Sequence, residues 1–124
     1  MLTGFARGLN IISAVFSWDV KMVKRSNVRI TVVKLLGTKE LWGDDAPKTG
    51  GEDVCPMYKV GDVYVTEGLQ MPKGWPCSWA WHDIFKEVLH LGLGGEFFSE
   101  PGNVIYACCT DGLRPVFFKI ESEE

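Results

Sequence analysis

With 124 residues, 46% hydrophobic and 12% aromatic, the chain has enough apolar content to build one core, which excludes an intrinsically disordered polypeptide. A chain of this size buries roughly two-thirds of the surface its unfolded form exposes, so neither a disulfide nor a metal is required for stability. The formal net charge of −3 excludes the broad basic surface that neutralises nucleic-acid phosphates, and no nucleic-acid partner is expected.

Residues 1–22 read as an N-terminal extension, upstream of a natural start at Met22. Their apolar run, Leu9 to Trp18, is about half of what spans a bilayer, so no membrane segment is expected. The basic residues Lys21, Lys24, Arg25 and Arg29 read as a solvated entry to the first strand. Residues 23–124 form the single expected domain.

Val28, Ile30 and Val32 alternate with Arg29, Thr31 and Val33, predicting a strand over Val28–Leu36 with one face in the core. Residues 37–56 are rich in Gly, Asp and Pro without a sustained period and read as a long surface loop. Lys59-Val60-Gly61-Asp62 turns the chain into a short strand at Val63–Val65, and Met71 to Pro76 is a stiff, proline-bounded connector. A helix is predicted from Ser78 to Leu91, with Trp81, Ile84, Phe85, Val88 and Leu89 as its buried stripe. Ser78 is read as its N-cap, Gly92, Gly94 and Gly95 as its stop, and Asp83, Lys86, Glu87 and His90 as its solvent face. Val104–Cys109 and Val116–Glu121 read as two strands of a hairpin turned by Asp111-Gly112. The order β, β, α, β, β predicts an α+β fold, a small antiparallel sheet of about four strands covered by one main helix.

The four cysteines, Cys55, Cys77, Cys108 and Cys109, are too few for a disulfide scaffold, and adjacent Cys108 and Cys109 point to opposite faces of a strand. They read as reduced thiols in a cytoplasmic protein. With Ser78 as N-cap, Cys77 and His82 take the N′ and N4 positions whose side chains meet at a helix start. The helix dipole and the imidazole would then both favour a Cys77 thiolate, the makings of a nucleophile. The plainer reading packs Cys77 as a small apolar residue and leaves His82 on the surface. Cys77, His82, Cys108, Cys109 and Cys55 are also candidate ligands for zinc or iron, although no paired knuckle spacing supports them. Trp75 and Trp79 fall off the core stripe and read as a ligand or partner surface. Arg114, ahead of Pro115 at the hairpin tip, could present a guanidinium to a carboxylate or phosphate.

Several of these residues fall in an ordered run of motifs: Lys59-Val60-Gly61-Asp62, Met71-Pro72-x-Gly74, Cys77-Ser78-Trp79-Ala80-Trp81-x-Asp83-Ile84, Gly94-Gly95-x-Phe97 and Ala107-Cys108-Cys109-Thr110-Asp111-Gly112-Leu113-Arg114-Pro115. The run resembles a family of small prokaryotic proteins without an assigned function, over about Val28 to Ile120. The resemblance implies an intracellular prokaryotic setting and a start near the first strand, and it transfers no catalytic residue.

Three function classes stay open at this level. The first is a small enzyme or redox protein using Cys77 and His82. The second is a non-catalytic module that binds a small molecule or a protein through Trp75 and Trp79. The third is a structural subunit of a homo-oligomer that pairs through its sheet edges. One pocket lined by both Cys77 and His82 favours the first; a packed Cys77 with a solvent-facing His82 favours the second.

Overall fold

The computed structural model describes residues 25–123, so the extension, its apolar run, Lys21 and Lys24 lie outside the described residues. The elements are β1 (Asn27–Leu35), α1 (Thr38–Trp42), β2 (Val63–Val65), α2 (Ser78–Gly92), β3 (Val104–Cys108) and β4 (Val116–Glu123). The fold is α+β, with one four-stranded antiparallel sheet in the order β2-β1-β4-β3. The α2 helix lies across one face of β1, β4 and β3.

Strict two-residue alternation makes the two central strands amphipathic. Val28, Ile30 and Val32 on β1 and Val116, Phe118 and Ile120 on β4 are all buried toward α2. Ile30 pairs with Ile120 and Val32 with Phe118 across the strands, and Val33 is the extra residue where the register shifts. On the outer face Arg29 reaches Glu121 and Glu123 at 3.4 and 3.6 Å, so this residue of the basic run is engaged in exposed ion pairs.

The helix spans the predicted residues, but it is rotated from the predicted stripe. Its buried residues are Ala80, Ile84, Val88, Leu91 and Gly92, while Phe85 is exposed and Trp81 only half-buried. The small Ala80 takes the inward position in the first turns, in the same buried core as Trp75. Trp81 is displaced to the flank, its ring 5.9 Å from Trp75 and 5.5 Å from Phe85. The rotation also moves Asp83 and Glu87 off the solvent face expected for them, to side-chain exposures of 10% and 12%. The helix ends as its glycines imply. Gly95 N–H donates to His90 C=O and Gly94 N–H to Leu91 C=O, with Gly94 at φ 86°, which together form a Schellman motif.

Residues 37–56 are not the featureless loop that their composition suggests. They contain α1 and a 3-10 turn at Gly43–Asp45. Asp53 starts α1 from a distance. Its carbonyl accepts from Thr38 N–H at 3.0 Å and its carboxylate from Lys39 N–H at 3.1 Å. That carboxylate occupies the space a Cβ on residue 37 would need, which explains the glycine there. A cap supplied from 14 residues downstream has no local sequence signature.

Trp75 is buried among Tyr58, Tyr64, Phe118 and Trp81, with ring centroids 4.8–5.9 Å away. Replacing it by alanine is expected to lower the unfolding free energy by about 3–5 kcal/mol. Urea denaturation of Trp75→Ala would measure this, with Trp75→Phe losing less because most of the ring contact remains.

Candidate ligand-binding cavity

Three segments converge beside the first turn of α2 and enclose a cavity of about 500 Å³. One wall is the helix start, with Cys77, Trp79 and Ala80; a second is Cys55 to Tyr58; the third is the β3–β4 turn, from Cys109 to Arg114. The volume falls within the range of small-molecule sites.

Hydrogen bonds hold the turn from two sides. On the helix side, Asp83 accepts the Thr110 N–H at 2.7 Å and the Thr110 hydroxyl at 3.0 Å. The same hydroxyl accepts the indole N–H of Trp79, which fixes that ring over the cavity. On the loop side, Thr38 Oγ1 donates to Leu113 C=O at 2.8 Å, and Trp42 Nε1 donates to Gly112 C=O at 3.0 Å. Within the turn, Asp111 Oδ1 accepts from the N–H groups of Leu113 and Arg114 at 2.9 and 3.2 Å. Asp111 therefore builds the turn that delivers Arg114, and Arg114 Nη1 reaches Glu52 C=O at 3.3 Å.

The candidate residues are redistributed by this geometry. The N-cap is Cys77, not Ser78, which shifts the N4 position to Trp81 and removes the basis for a Cys77–His82 contact. Cys77 lines the cavity; the His82 side chain is 93% exposed and lies on the outer side of the helix. Cys109 is buried, and its sulfur accepts the Val116 N–H at 3.3 Å. Cys108 is exposed, opposite Phe117 on the outer face of the sheet. Of the five candidate metal ligands, Cys55, Cys77 and Cys109 line one cavity, while Cys108 and His82 point elsewhere. Among the described residues, no three His, Cys, Asp or Glu side chains are grouped to hold a metal ion.

Trp75 does not form the surface expected of it. It lies in the core, where its Nε1 donates to Cys77 C=O at 2.7 Å, a buried partner that a surface indole would not need. Trp79, 62% exposed, and Arg114 do meet at the cavity. Tyr58 is the residue that sequence reasoning missed, since it sits in an aperiodic stretch between Pro56 and the Lys59 turn. It is 3% exposed, and its hydroxyl is buried without a hydrogen-bond partner, as is Nε of Arg114.

Burial pushes the Tyr58 phenol above its ordinary pKa, helped by the neighbouring Cys77, Tyr64, Cys55 and Cys109. Burial also pushes the Cys109 thiol up, against the opposing effect of the Val116 and Asp111 amides. Comparison with known protein families, curated proteins and solved structures finds no match for this chain. Among the described residues, no helix is long and apolar enough to cross a membrane.

Both raised groups bind their protons more tightly when folded than when unfolded. Their stabilisation is complete below the unfolded thiol value of about 8.5 and is lost as pH rises through the folded values. The urea midpoint is therefore expected to fall between about pH 8 and 11, and Cys109→Ala to flatten the early part of that fall. Removing the helix-to-turn tie in Asp83→Ala is expected to cost about 1.5–3 kcal/mol in the same assay at neutral pH.

Proposed function

We propose that the protein is a small-molecule binding module whose site is the cavity between the α2 start, residues 55–58 and the β3–β4 turn. The observation that carries this reading is an apolar cavity of about 500 Å³ with a large exposed indole, Trp79, held over it by Thr110. Trp79 on one wall and Met57 on another suit a flat apolar body, since both present broad polarisable surface. The Cys77–His82 nucleophile has less support, because a solvent-facing imidazole on another side of the helix cannot take the thiol's proton.

The three thiols on the wall, Cys55, Cys77 and Cys109, keep a second reading in view, in which the cavity accepts a thiol-reactive ligand. They also supply a built-in probe of occupancy. Naphthalene-2-carboxamide, a flat neutral molecule, is expected to bind and to slow iodoacetamide labelling of Cys55 and Cys77, read by peptide mass spectrometry. Cys108, on the outer face of the sheet, should react at an unchanged rate. Trp79→Ala is expected to weaken binding at least about tenfold, the loss of one stacking wall. Labelling of Cys55 and Cys77 that ignores saturating probe would remove the cavity as the site.

A further inference from the structure

The sheet has one covered face and one open face. Among the described residues, α2 is the helix that contacts the strands, and it lies on the face that carries Ile30, Phe118 and Ile120. The strand register sets out the opposite face in rows across β2, β1, β4 and β3. One row runs Val65, Arg29, Glu121, Val104, and the next runs Val63, Thr31, Lys119, Tyr106. A third begins with Val33 and Lys34 at the β1 bulge and continues through Phe117 and Cys108. The solvated face of an antiparallel sheet is normally polar. On this one Val63 and Tyr106 are 52% and 62% exposed, and Val33 and Val65 are exposed with them.

In the first two rows the apolar residues stand at the edges and the polar ones at the centre. Arg29 lies 3.4 and 3.6 Å from Glu121 and Glu123, and Lys119 lies 3.9 Å from Glu121, so two cations and two carboxylates share that centre. The strand order β2-β1-β4-β3 makes the pattern self-complementary. A two-fold axis between two such faces, parallel to the strands and midway between β1 and β4, lays β1 of one copy on β4 of the other and β2 on β3. Each row then meets its own reverse. Arg29 faces Glu121, Thr31 faces Lys119, Val63 faces Tyr106 and Val33 faces Phe117, so cation meets carboxylate and apolar meets apolar. Val65 lies toward Val104, which is already nearly covered in the single chain. The unmatched charge is Lys34, exposed beside the bulge, whose stem can pass Phe117 to reach water.

We infer that the open face of the sheet binds a second copy of this chain, forming a two-fold dimer with the sheets packed face to face. The cavity plays no part in this contact, because it is lined by Ala80 and Val116 on the helix side of the sheet. The sheet edges offer less. The β2 edge is three residues long, and β3 is closed at one end by Pro101 C=O on Val104 N–H and at the other by Asp83 on Thr110 N–H. With strands about 4.8 Å apart and a rise of about 3.3 Å per residue, the face measures roughly 20 Å on a side, the small end for a specific interface. The dimer is therefore expected to dissociate in the micromolar range, at roughly 10–100 µM.

Sedimentation equilibrium of the full chain from about 1 µM to about 1 mM tests this. The mass should rise from 13.9 kDa toward twice that value. Val63→Glu and Tyr106→Lys are each expected to weaken association at least about tenfold, by placing a charge in an apolar contact. Neither should lower the urea midpoint appreciably, since both side chains are more than half exposed in the single chain. An equimolar mixture of the two variants should recover most of the lost association, because the introduced charges face each other across the axis. Phe98→Glu, at a fully exposed position off this face, should leave association unchanged. A chain that stays monomeric throughout overturns the inference, whatever else covers the face. A dimer that survives both face substitutions, or that is lost equally in Phe98→Glu, also overturns it by placing the contact elsewhere. A mixture that associates no better than either variant alone overturns the two-fold arrangement and the inference with it.

Discussion

The packing of Trp75 against Tyr58, Tyr64, Phe118 and Trp81 is the constraint on which the rest of the molecule depends. These five rings come from the sheet, the helix and two connecting segments, and their mostly edge-to-face contacts hold segments that have little regular hydrogen bonding of their own. Trp75 shares the buried core with Ala80, Ile84 and Val88 of α2 and packs edge-on against Trp81. Ala80 is turned inward, Trp81 and Phe85 move to the flank, and Asp83 comes within reach of Thr110. Its indole N–H also holds the Cys77 carbonyl, which fixes where the helix begins.

The cavity follows from that arrangement. With the helix start fixed on one side and α1 on the other, the β3–β4 turn is clamped by Asp83, Thr38 and Trp42, and Asp111 shapes it internally. A turn held from both sides leaves little to be ordered at the wall of the cavity.

The three wall thiols have a quieter place in this account. Cys109 is a buried acceptor for the Val116 amide, and Cys55 and Cys77 pack against the core. Cysteine serves there as a small, polarisable apolar residue. The cysteines make the site easy to interrogate, because three of them line the cavity and the fourth, Cys108, lies on the outer face of the sheet.

Period and turn chemistry are local properties, so the strands, the span of α2 and its glycine stop were legible in the residues themselves. Val28, Ile30 and Val32 declare a buried strand face, and Gly94 and Gly95 declare the end of a helix, without reference to anything distant. The rotation of α2, the N-cap at Cys77, the burial of Trp75 and the separation of Cys77 from His82 were not legible. Each depends on what a side chain meets across the fold: Trp75 against Trp81, Thr110 against Asp83, Asp53 at the start of α1. Sequence placed Trp79 and Arg114 among the candidates by residue type. Only tertiary structure brought them to one cavity and added Tyr58, because an unsatisfied buried donor is defined by the neighbours it lacks.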